Sequence, residues 1–181
     1  MLEVKITSTD YVNIENFLNQ SQFRLQNGIY KRSLEEKIDL MVQFNKQEKA
    51  VYFTFPGDLS LDHFDLVHET IQSFIMEVKV DKIDEANAFI GYLSDGSHAY
   101  ILSGWKEWVH FISGAKHNSM EGQKVEVSEN DNKIAEGILL DYDYVLDKKN
   151  FIVKKCTLLT LFGEKEYTGH HLIIRATGEF V

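Results

Sequence analysis

The chain has 181 residues, 44% of them hydrophobic and 12% aromatic, which is enough for a packed core and excludes wholesale disorder. Its formal net charge is −9, with 17 acidic against 11 basic residues up to position 117 and 11 against 8 from position 118 onward. Neither part is basic, which argues against unaided tight binding to nucleic acid, where affinity comes largely from neutralising phosphates.

The start, MLEVKITSTD, has no basic segment leading into an apolar stretch, so no secretory signal is expected. Leu2 to Ile6 alternates as a short strand. Ser8, Thr9 and Asp10 then offer helix caps, and Tyr11, Ile14 and Leu18 follow at helical spacing, which predicts a helix over about residues 10–20. In FRLQNGIYKR, Asn27-Gly28 accepts the positive φ of a type I′ turn, with a strand on either side. Ser33 to Glu36 fits either a capping box or a continuing strand. Ile38, Leu40, Val42 and Phe44 alternate, as do Val51, Phe53 and Phe55, so 38–55 reads as a second hairpin, stopped by Pro56-Gly57.

Asp58 to Val78 carries the strongest helical pattern. Leu61, Phe64, Ile71, Ile75 and Val78 form one stripe, with Val67 and Phe74 beside it. NAFIGYLSDGSHAYIL predicts a third hairpin turning at Asp95-Gly96. Trp105, Trp108, Val109 and Ile112 then recur at helical spacing, with Gly114 placed to end the helix. The small, polar segment 113–119 reads as a linker. Beyond it stand about five β signals: 124–127, 134–144, one or two within 151–162, and 170–176. The fold class is therefore α+β. An N-terminal α+β domain over 1–116, with antiparallel hairpins and two or three helices, precedes a small five-stranded β-barrel over 117–181. Barrel closure removes exposed sheet edges.

Gly122-x-x-Val125-x-Val127 followed by Gly137-x-Leu139-x-x-Tyr142-Asp143 resembles the first motif of Sm-like proteins, and Leu172-Ile173-Ile174-Arg175-Ala176 resembles the second. The resemblance covers the last third of the chain and implies an SH3/Sm-like barrel with RNA-contacting residues. Two departures bear on that implication. The position of the family's base-contacting asparagine is Asp147, and the glycine after the motif arginine is Ala176. Arg175 then has a structural alternative, pairing with a carboxylate such as Asp143. The layout of helices and strands ahead of a barrel is also similar to the ribosome maturation factor family, with VYFTFPGDLSLDHFDLV echoing its strand–loop–helix, although a proline-rich strand before the barrel is absent.

No stretch carries a catalytic constellation. SDGSH holds Ser, Asp and His side by side on a turn, where they cannot converge as a triad. DHFDLVHE places His63 and His68 five apart, diverging around a helix, so no metal is expected there. His170 and His171 are neighbours on a strand and point to opposite faces. Cys156, the one cysteine, sits in the apolar run KKCTLLTL and reads as a buried thiol in a reducing cytoplasm. Trp105 and Trp108, one helical turn apart, are the residue type of a protein-binding hot spot; packing within the chain is the other reading. The expected function is a non-enzymatic cytoplasmic adaptor without cofactor or membrane attachment. Its partner is a protein, basic where charge steers it, and the candidate contact residues are Trp105, Trp108, Tyr142, Asp143 and Arg175. The alternatives are an RNA- or ribosome-associated Sm-like protein, which the charge disfavours, and a metal-dependent hydrolase.

Overall fold

The computed structural model describes residues 1–35, 38–147 and 150–178. It is an α+β protein dividing into two compact units, Met1–Trp105 and Lys106–Val181. The sequence places a boundary at 116/117 instead. The capping-box residue Glu36 and the turn residues Lys148 and Lys149 lie outside the described residues.

In the first unit, β1 (Leu2–Thr7), β2 (Arg24–Gln26), β3 (Ile29–Glu35), β4 (Ile38–Asn45), β5 (Ala50–Phe55) and β6 (Lys82–Asp84) form one antiparallel sheet in the order β2-β3-β4-β5-β1-β6. Alternation decides its two faces. Val4 pairs with Phe53 and Phe53 with Val42, and all three are buried. The intervening residues point the other way, as a half-covered antiparallel sheet requires. The buried face meets α1 (Tyr11–Gln20) through Ile14, Phe17 and Leu18, and α2 (Leu61–Glu77) through Phe64, Val67, Ile71 and Phe74. Phe74 sits edge-on to both Phe17 and Phe53, at centroid distances of 5.2 and 5.1 Å. Such aromatic contacts add about 0.5–1.5 kcal/mol each beyond burial.

Ser60 starts α2, its Oγ accepting the His63 N–H at 3.3 Å. α1 is held differently. Asp10 makes no side-chain cap bond; the buried Ser8 hydroxyl accepts the Asp10 N–H at 3.0 Å and donates to the Lys79 carbonyl at 2.7 Å. Asn27 and Gly28 turn the β2–β3 hairpin at φ values of 51° and 82°, as a type I′ turn needs. The third hairpin pairs β7 (Phe89–Tyr92) with β8 (His98–Tyr100) as a separate two-stranded sheet.

α3 (Trp105–Asn118) runs through Gly114 and most of the expected linker. Contacts inside the second unit carry it onward: His117 stacks on Phe151 at 4.8 Å, and the Tyr142 hydroxyl donates to Asn118 Oδ1 at 2.6 Å. The four strands that follow are β9 (Lys124–Glu129), β10 (Asn132–Asp147), β11 (Asn150–Thr160) and β12 (Gly163–Ala176). They pair in the order β10-β11-β12-β9, and β9 returns to β10, so the ring closes. Four strands, rather than five, are present among the described residues. Residues 151–162, which allowed two strands, belong to one, and the curvature comes from irregular registers at Lys133/Ala135, Leu139/Asp141, Asp143/Tyr144 and Val153/Lys155. Val125, Val127, Leu139, Val153, Cys156, Leu158, Leu172 and Ile174 fill the interior. At Gly137 an added Cβ would stand 2.6 Å from the Leu159 carbonyl oxygen, so only glycine fits where β10 crosses so near β11.

Candidate functional site

Trp105 and Trp108 are both buried, so neither ring is presented to a partner. Trp105 stacks on His68 with centroids 4.9 Å apart and planes 15° from parallel. His68 is itself buried, with Nδ1 2.7 Å from the Ile101 carbonyl. That arrangement explains the histidine of DHFDLVHE as a packed, hydrogen-bonded core group. His63 lies at the helix start beside Ser60 and 3.9 Å from the Glu35 carboxylate. Among the described residues no three His, Cys, Asp or Glu side chains are grouped to hold a metal ion.

Tyr142, Asp143 and Arg175 lie in the second unit. Tyr142 is half-buried between α3 and β11, among His117, Tyr144 and Phe151, at centroid distances of 5.3, 6.0 and 6.3 Å. Burial, helped by the nearby Glu121 carboxylate, pushes its hydroxyl above the usual tyrosine range. His117 is pushed below the usual histidine value, chiefly by burial, so its ring is neutral at pH 7 and stacks as an aromatic surface. Asp143 is exposed and 4.0 Å from Lys155, which holds Glu166 more closely at 2.6 Å. Arg175 is exposed on β12, opposite Glu126 on β9, and makes no ion pair with Asp143 or any other carboxylate among the described residues. Strand register does not join it to Tyr142 and Asp143, which pair with Cys156 and Lys155 on β11. Asp147 ends β10, exposed, opposite Asn150.

The most exposed large apolar groups of the second unit are elsewhere. Leu161 and Phe162 form the turn between β11 and β12 and are 100% and 84% exposed. Thr160 shapes the turn, its hydroxyl accepting the Phe162 N–H at 3.1 Å and donating to the Gly163 carbonyl at 2.9 Å. The Lys165 ammonium sits 5.3 Å from the centre of the Phe162 ring. Leu158 and Leu139 pair facing inward, so their neighbours Leu159 and Leu140 face out, and both are exposed. Sequence reading missed this patch because a leucine and a phenylalanine at the end of an apolar run pass for strand. The signal was their position at Gly163, where a turn favours polar residues.

Cys156 is buried with its thiol pushed up to about 11 by desolvation, which leaves it neutral and inert. Asp95 and Ser97 are spent on the hairpin turn, with Asp95 Oδ1 accepting both the Ser97 N–H and hydroxyl. No helix among the described residues is long and apolar enough to cross a membrane. No protein-family model, no curated protein and no solved structure matches the chain.

Proposed function

We propose that the chain is a non-enzymatic cytoplasmic binding protein whose second unit, a small barrel of SH3/Sm-like type, contacts a protein partner through the β11–β12 tip. The observation that carries this reading is the pair Leu161 and Phe162, held out in a hydrogen-bonded turn with almost all of their surface in water. Burying two such side chains is worth about 1.5–3 kcal/mol each before ordering costs. Leu140 and Leu159 extend the apolar surface along the adjoining strands. The net charge of −9 favours a basic partner, attracted over distance before the apolar tip engages. An RNA-binding Sm-like role is the weaker reading, because Asp147 repels phosphate where that role calls for an amide.

The test is affinity capture from nuclease-treated lysate with the native chain and with an L161E/F162E variant. The expected result is a captured protein that survives nuclease, weakens with salt and is lost from the variant. Capture that is unchanged in the variant, or that disappears with nuclease, overturns the proposal.

A further inference from the structure

β2 covers only part of β3. Arg24, Leu25 and Gln26 pair with Lys31, Tyr30 and Ile29. Upstream of Arg24 the chain leaves the sheet, because Phe23 is buried and its N–H donates to the Leu18 carbonyl at 3.1 Å. From Arg32 to Glu35, β3 therefore pairs with β4 on one side and has no strand partner on the other among the described residues. Beside this edge lies an open groove of about 550 Å³, lined by Gln22, Arg24, Lys31, Arg32, Ser33 and Asp39.

Three cations thus meet one carboxylate in a chain that is acidic overall. Some lysines elsewhere are held by carboxylates: Lys5 by Glu48 at 2.8 Å, Lys133 by Glu126 at 2.9 Å, Lys155 by Glu166 at 2.6 Å. Arg24, Lys31 and Arg32 have no ion pair among the described residues. Arg32 is oriented by a hydrogen bond from Nη1 to Thr70 Oγ1 at 3.0 Å.

The cations stand on two faces of the sheet. Arg24 and Lys31 pair with each other, and Lys31 with Met41, on the face away from the helices. Arg32 pairs with the buried Leu40 on the helix face and reaches α2. A compact anion cannot satisfy both faces at once. An extended chain can, because its successive side chains alternate between faces while its backbone bonds to the open edge. A second copy of this chain is disfavoured, since edge-to-edge pairing would bring two sets of the same cations together.

We propose that the Arg32–Glu35 edge of β3 takes an acidic, extended peptide segment as an added strand. Adjacent carboxylates of that segment meet Arg32 on one face and Arg24 with Lys31 on the other through charge-assisted hydrogen bonds. Glu35 at the far end of the edge disfavours a further acidic residue opposite it. This site is separate from the β11–β12 tip and stands or falls independently of it.

The experiment uses the full chain and a short labelled peptide with two adjacent glutamates in a threonine–valine background. Its counterparts carry glutamine in place of glutamate, or N-methyl groups on alternate backbone amides. Fluorescence anisotropy should show the glutamate peptide binding, with each counterpart weaker by about tenfold or more. An R24Q/K31Q variant, changed at one exposed and one half-buried position on the face away from the helices, should lose binding by a similar factor while keeping its circular dichroism. Hydrogen exchange at the edge residues Arg32 to Glu35 should slow with the peptide bound. Equal binding of the N-methylated peptide, full competition by equimolar pyrophosphate, or no binding overturns the proposal. So does an R24Q/K31Q variant that dimerises without losing a peptide signal, which would assign the cations to guarding the edge alone.

Discussion

The carboxylate of Glu129 accepts the backbone N–H of His170 at 2.6 Å and of His171 at 3.2 Å. Those bonds hold it below the ordinary glutamate value of 4.5. A carboxylate with a lowered value in the folded chain contributes stability that is fully present above its unfolded value and is lost as pH falls through its folded one. Glu129→Gln should therefore lower the urea midpoint at pH 7, and the gap between the two proteins should shrink progressively below about pH 4.5. A gap that stays constant from pH 7 to pH 3 contradicts the assignment. Gly169 makes room for this contact: an added Cβ there would lie 2.7 Å from Glu129 Oε1 and 2.6 Å from Leu172 Cδ2. Nothing in the sequence announced the pairing, since Glu129 and His170 are joined only once the strands close on one another. Gly137, by contrast, was singled out from its motif, and the structure supplies a physical reason in the closeness of the Leu159 carbonyl.

At the scale of elements, α2 was the most legible, expected over 58–78 and found as Leu61–Glu77. Its apolar stripe centres on Val67, Ile71 and Phe74, displaced slightly from the expected one, because Leu61 and Ile75 lie at the rim of the helix contact. Replacing its cap, Ser60→Ala, should cost about 1 kcal/mol, measured as a lower denaturation midpoint with an unchanged slope. No loss of stability would mean that the Ser60 hydroxyl is as well satisfied by water as by His63. The hairpins around Asn27-Gly28 and Asp95-Gly96 were legible because turn chemistry is local. β6 was not, because its three residues are all exposed and carry no alternation. The end of α3 was misread for a related reason: Gly114 is a local stop signal, overridden by the stacking of His117 on Phe151, far away in sequence. Trp105 and Trp108 show the limit of residue-type arguments, since the side chains that dominate interfaces also dominate cores.

Over the whole molecule, the α+β class followed from hairpins and amphipathic helices, whereas the count of C-terminal strands turned on irregular registers that leave no mark in the sequence. The two units have separate interiors, one around Phe53 and Phe74 and the other around Leu139 and Cys156. Phe53→Ala should cost the first unit about 3–5 kcal/mol while leaving Cys156 as slow to alkylate as before. Faster labelling of Cys156 in that variant would show the two interiors unfolding as one. Between the pairs Val153–Leu172 and Lys155–Thr168, β12 carries Gly169, His170 and His171 where β11 carries only Lys154. Tyr167 packs on the interior and so do Leu172 and Ile174, five and seven residues on, so the alternation of β12 slips by one residue across this irregularity, as that of β11 does between the buried Val153 and Cys156. Excising one residue of the three would restore plain alternation and leave Leu172 and Ile174 in phase with Tyr167, whereas excising two together would turn Ile173 and Arg175 toward the interior.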